Sequence, residues 1–272
     1  MSAAMSVLGK IIFYSMVALI IIFLAIIILF LSFAFSSSSA VLSRNTAPIA
    51  NLGQDTLLSC YLLTQTVTKV SVTWEKKGLS GVVYKYTNGA ATLQDQSSQF
   101  KGRTQLFSEA LATGNASLLL RNVKHSDEGE YTCSISSSKS GGTVNIHLQT
   151  AAFTAPTFTL SNSVLTAHAS RWFPIPNVTW LNLDEEVLRG NTTFSASHNK
   201  IYSVTSTLPV NNTDAYICRI ENNLVTSVST ATVTGSAVSE DSYFTFSAAS
   251  SLLVSVHLSI TTTCVLCIYN LT

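Results

Sequence analysis

The chain has 272 residues, of which 47% are hydrophobic and 11% charged, with a formal net charge of +1. This length leaves room for about two ordinary domains, and so low a charge content points to membrane segments and not to disorder. Near-neutrality removes the basic stripe that counterion-releasing contact with nucleic acid requires, so no nucleic-acid partner is expected.

The amino end is apolar. From Ile11 to Ser43 there is no Asp, Glu, Lys or Arg, and Ile11 to Phe35 follows a single Lys10. An export signal usually has about 7–15 apolar residues and a spanning helix about 20, so length favours a signal anchor. Ser38 and Ala40, however, sit in the small-residue pattern of a cleavage site just before Val41, within the polar tract SSSSA. Residues 1–40 are therefore a signal peptide or a signal anchor. In either case Lys10 holds the amino end inside, and the chain after Phe35 lies outside the cytosol.

The exported part alternates apolar and polar residues in short runs rich in Val, Thr, Ser, Ile and Tyr, broken by Gly, Asn and Pro, which predicts many antiparallel strands. Tyr131, Cys133 and Ile135 fall on one face of an extended strand, with Thr132, Ser134 and Ser136 on the other. Tyr216, Cys218 and Ile220 repeat the pattern, so the same local unit occurs twice. In the first unit, residues 41–150, Cys60, Trp74 and Cys133 have the spacing of an immunoglobulin domain. A Cys60–Cys133 disulfide should cross between facing sheets with Trp74 packed against it, contributing roughly 4 kcal/mol through chain entropy. Tyr131, two residues before Cys133, occupies the tyrosine-corner position. The separation of the cysteines leaves room for extra strands around Val82 to Tyr86 and Ala90 to Leu93, which predicts the variable type.

The second unit, residues 151–235, carries Trp180, Tyr216 and Cys218 as its core and is short enough for a constant-type domain. It has no partner cysteine. Ala167 stands where one is expected, between inward-facing Leu165 and Ala169. Cys218 then reads either as a buried free thiol or as half of an intermolecular disulfide, and its inward direction favours the first. The predicted fold class is all-β: two immunoglobulin-like sandwiches, variable-type then constant-type, flanked by hydrophobic ends. Residues 236–251 read as a stalk. Residues 252–269 are mostly apolar, and after Asp241 no acidic or basic residue appears. Two readings stand for this segment, a transmembrane helix or a lipid-anchor signal.

Four sequons lie in the exported region, at Asn115, Asn177, Asn191 and Asn211, with Asn115 and Asn191 in loop-like polar stretches. Cys264 and Cys267 form CVLC, but in the apolar tail and without a second pair, which does not support redox or zinc chemistry. The histidines at 125, 147, 168, 198 and 257 have no ligand spacing. No nucleophile elbow, P-loop or H-E-x-x-H string is present, so no catalytic residue, cofactor, metal or small-molecule substrate is predicted, and the chain does not read as an enzyme.

The runs FKGRTQLF, GNASLLLRNVKHSDEGEYTC, SRWFPIPNVTW and ICRIEN together resemble the butyrophilin-like T-cell co-signalling ligands of the immunoglobulin superfamily. The resemblance covers nearly all of the exported chain. It implies a ligand on the outer side of the plasma membrane whose first domain engages a receptor protein on T cells and lowers their activation. A homophilic or heterophilic adhesion molecule is the alternative that the same layout would serve. The resemblance also implies an ion pair between Arg103 and Asp127 closing the bottom of the first domain, and a receptor-facing front sheet exposing Glu75, Tyr84, Tyr86 and Lys139. Tyrosines there would offer large contact area at low entropic cost, or would be half-buried strand residues.

Overall fold

The computed structural model describes residues 7–36, 41–63, 69–138, 140–197, 199–211 and 213–247. One helix, α1 (Val7–Ser36), opens the chain. Its stretch Ile12–Leu31 has a mean hydropathy of 3.1 and is not buried against the rest of the protein, so by length and composition it could cross a bilayer.

Eleven strands follow as the first sandwich: β1 (Val41–Leu42), β2 (Ile49–Asn51), β3 (Thr56–Leu58), β4 (Tyr61–Leu62), β5 (Ser71–Lys76), β6 (Tyr84–Thr87), β7 (Ala90–Ala91), β8 (Thr104–Leu106), β9 (Leu118–Leu120), β10 (Gly129–Ser136) and β11 (Gly141–Ala151). The front sheet has the order β2-β11-β10-β5-β6-β7, and the back sheet is β3-β9-β8. Alternation decides which residues fill the space between them. Val72 and Trp74 from β5, Tyr131, Cys133 and Ile135 from β10, and Leu118 and Leu120 from β9 all point inward and are buried. Strand β6 and the short β7 at the front edge are the extra strands of a variable-type domain.

Nine more strands make the second sandwich: β12 (Thr157–Ser161), β13 (Val164–Trp172), β14 (Asn177–Leu181), β15 (Val187–Leu188), β16 (Asn191–Ala196), β17 (Tyr202–Pro209), β18 (Thr213–Glu221), β19 (Val225–Thr234) and β20 (Ala237–Phe246). They form one sheet of order β12-β13-β17-β16 facing another of order β15-β14-β18-β19-β20. A second core of Leu165, Ala167, Trp180, Val204, Cys218 and their neighbours fills the gap. The stalk expected over 236–251 is corrected here for its first part. Ala237–Phe246 runs antiparallel to β19 over ten residue pairs, because Gly235 takes a positive φ of 64° and lets the chain reverse in two residues.

The sandwiches meet at a hydrogen-bonded junction. Asn51 Nδ2 donates to the carbonyl of Phe153 at 2.9 Å, and Arg171 Nη2 donates to the carbonyl of Leu52 at 2.6 Å. Ala152 bridges to Phe173, whose ring stands edge-on to His125 at 5.4 Å.

Candidate functional site

The outer face of the front sheet is built by the same alternation that fills the core. Register places Lys85, Thr73 and Ser134 side by side, with Thr143 next, and in the neighbouring row Glu75, Thr132 and Asn145. Thr132 Oγ1 donates to Asn145 Oδ1 at 3.0 Å. Beyond them Lys77 and Glu130 pair at 2.6 Å, both exposed to solvent, where such a pair adds little stability. The face thus carries short polar side chains bordered by charges, with no large apolar residue on these rows.

Tyr84 requires a correction. It is 7% exposed and belongs to the core, and Tyr86, half-buried, packs against the same core. Tyr84 pairs with Trp74 and Tyr86 with Val72, both inward residues, so β6 turns its tyrosines in and Lys85 out. Burial accordingly pushes the Tyr84 phenol above its ordinary pKa. Glu75 does lie exposed on the front face, while Lys139 falls outside the described residues.

Beneath the front sheet the end nearest the second sandwich is closed by a charged cluster. Arg103 Nη1 and Nη2 each donate to one carboxylate oxygen of Asp127 at 2.8 Å, a bidentate pair. Gln99 Nε2 donates at 3.0 Å and the backbone N–H of Lys124 at 2.8 Å, so the Asp127 carboxylate accepts four hydrogen bonds with no solvent exposure. Burial pushes this carboxyl up, but the bonds from Arg103, Gln99 and Lys124 outweigh it and hold the group below the ordinary aspartate value. Tyr131 Oη donates to the carbonyl of Asp127 at 2.6 Å, which ties the corner to the same cluster. Above it, Cys60 and Cys133 are bonded, with Cα atoms 6.5 Å apart. Trp74 Nε1 donates to the carbonyl of Ala116 at 3.0 Å.

In the second sandwich Cys218 is a buried free thiol, and burial pushes its pKa up to about 12, which leaves it unreactive as a thiolate at neutral pH. Ala167 lies in the same core. Trp180 is buried beside Cys218 on the neighbouring strand and donates from Nε1 to Ser206 Oγ at 2.8 Å. The Tyr216 hydroxyl accepts from the backbone N–H of Asn211 at 3.1 Å.

All four sequon asparagines are exposed. At Asn115 the side-chain oxygen accepts from Ser117 Oγ at 2.7 Å, which presents the amide nitrogen outward. Asn177 opens β14, and Asn191, read from sequence as a loop residue, opens β16. Residues 252–269, with Cys264 and Cys267, lie outside the described residues. Among the described residues no group of three His, Cys, Asp or Glu side chains is placed to hold a metal ion.

Comparison with known proteins agrees with this architecture. The immunoglobulin V-set domain family matches residues 44–149. The human V-set domain-containing T-cell activation inhibitor 1 is 32% identical over 252 residues, covering 88% of this chain and 89% of the human protein. Its mouse counterpart is 34% identical over 247 residues, covering 86% and 87%. Among solved structures, the human B7-H4 IgV-like domain is similar, with 34% identity, a TM-score of 0.38, and coverage of 40% of this chain and 95% of that one. Identity at this level across most of both chains means that this chain belongs to the family of V-set domain-containing T-cell activation inhibitors.

Proposed function

We propose that the chain is a cell-surface co-inhibitory ligand that binds a receptor on T cells through its first sandwich and lowers T-cell activation, proliferation and cytokine production. The observation that carries this reading is the uncovered front sheet, whose rows Lys85–Thr73–Ser134 and Glu75–Thr132–Asn145 form a polar, charge-bordered platform on a rigid core. Such a platform suits reversible recognition between proteins better than the enclosure of a small substrate. The names of the relatives, inhibitors of T-cell activation, support the sign of the signal.

Chain direction sets a condition on this role. Val41 pairs with Leu62, at the end of the first sandwich where Ser71, Tyr86 and Ser136 also meet. The four residues 37–40 reach at most about 18 Å across their five links, so a retained α1 would hold that loop end close to the bilayer. Presentation to another cell therefore requires removal of residues 1–40, and amino-terminal sequencing of the surface protein should begin at Val41.

The function is tested with a multivalent form of residues 41–247 applied to resting and activated T cells and to cells bearing this same chain. Binding to T cells with reduced proliferation, lost when Glu75→Arg and Lys85→Glu are combined, supports the proposal. Binding confined to cells bearing the chain itself overturns it in favour of homophilic adhesion.

A further inference from the structure

Strand β20 creates a geometric conflict. Strand β19 runs from Val225 near the junction to Thr234 at the far end of the second sandwich, and β20 brings the chain back. At its end Ser247 N–H donates to the carbonyl of Leu224, and Phe246 stands edge-on at 5.6 Å to Phe153, the residue bonded to Asn51 of the first sandwich. The chain thus leaves the folded body at the junction, about 34 Å back from the far end. Between Ser247 and the apolar run that begins at Leu252 lie four residues, 248–251, which reach at most about 18 Å across their five links. With β20 in place and 252–269 anchored in a bilayer, the junction is held close to the membrane, so the second sandwich cannot stand upright between the membrane and the first.

The strand also lies at a sheet edge, where β12 and β16 likewise bury no side chain. None of its ten side chains is buried, whereas β19 alternates strictly between buried and outer positions and buries Val225, Ser227, Ser229, Ala231 and Val233. Beyond the backbone ladder, β20 is held by Phe244 and Phe246 against Phe153, by Val238 at the core margin, and by single hydrogen bonds from Ser242 to Ser229 and from Phe158 N–H to Glu240. Elements with few buried contacts open first.

We infer that β20 is a releasable tether strand: docked, it lays the two sandwiches down at the membrane; released, residues 235–251 become a stalk that raises the first sandwich. The released segment of 17 residues reaches up to about 58 Å. This inference rests on the proposed anchoring of residues 252–269.

The test uses the full chain in a supported bilayer, with a fluorophore at the amino end of the mature protein and an acceptor dye in the lipid. Ser229→Cys with Ser242→Cys, in a Cys218→Ala background, places sulfurs where two hydroxyls already touch at 2.8 Å and locks β20 down. Energy transfer should be strong while the lock is oxidised and fall when it is reduced, as the label rises by about 30 Å. Phe244→Ala with Phe246→Ala, without the lock, should lower transfer further. Equal transfer in locked, reduced and loosened proteins that remain in the membrane fraction overturns the tether strand. Loss of every form from the membrane fraction overturns the anchoring itself, and the inference with it.

Discussion

In the first sandwich Trp74 lies beside Cys133 on the neighbouring strand, and Cys133 is bonded across the core to Cys60. In the second, Trp180 lies beside Cys218 in the same way, but the facing strand offers Ala167 and the thiol stays free. The indoles differ in their partners too. Trp74 donates to a backbone carbonyl, while Trp180 donates to the hydroxyl of Ser206, which sits next to Ala167 in the register. A tryptophan-centred sandwich therefore closes with or without a covalent staple. What the staple adds is constraint on the unfolded chain, and a side-chain hydrogen bond cannot supply that.

The two sandwiches should part most clearly when the staple is removed. Cys60→Ala with Cys133→Ala opens a loop of 73 residues' separation, and the chain-entropy cost is about 4 kcal/mol. In denaturant the folded body should then show two separate transitions, with the first sandwich moved to much lower concentration and the second unmoved. A common shift of both would mean that the junction couples them into one unit.

The first sandwich has a second device, a buried ion pair with no counterpart among the described residues of the other. Arg103→Ala leaves the Asp127 carboxylate buried without its bidentate partner, at a cost of about 3 kcal/mol. The pH dependence has a definite sign. Because the folded pKa of Asp127 lies below its ordinary value of 3.8, its contribution is fully present above that value and lost as pH falls through the lower folded pKa. Acid should therefore weaken the first sandwich below about pH 4, and Asp127→Asn should flatten that limb. Equilibrium unfolding at stepped pH measures both.

A staple can also be built in the second sandwich, where it is missing. Ala167→Cys faces Cys218 across the core, and a bond between them should stabilise the second sandwich by about 2 kcal/mol, less than the loop length alone allows. Thiol titration should show loss of the Cys218 thiol, and the second transition should move up. A free thiol with a lowered transition would mean that the two sheets stand too far apart at this point.

What could be read from the sequence follows the strength of local patterning. Cys60, Trp74, Tyr131 and Cys133 announce a sandwich because strict alternation places three of them on inward faces and their spacing is fixed by sheet separation. Tyr84 misled because alternation within VVYKYT does not say which parity faces in. That depends on pairing with β5 across an irregular turn, and the register with Trp74 settles it. Strand β20 was missed because Glu240 and Ser242 interrupt the face that carries Val238, Phe244 and Phe246, and none of its side chains is buried. The available signal was Gly235–Ser236 between two valine-threonine and valine-serine runs, a two-residue hairpin turn.

The smallest expected effect bears most directly on how Trp180 is held. Ser206 is fully buried, its oxygen takes the indole N–H, and its hydroxyl also contacts Thr192 at 2.8 Å. Ser206→Ala leaves Trp180 Nε1–H without an acceptor in a dry site, which costs about 1 kcal/mol in the second transition. Tryptophan fluorescence should shift little, since the packing around the ring is unchanged. If the loss adds fully to the gain from Ala167→Cys in the doubly substituted protein, indole anchoring and sheet stapling are independent. If it vanishes once the bond is made, the hydroxyl serves to hold the sheets in register, which is the task the disulfide performs in the first sandwich.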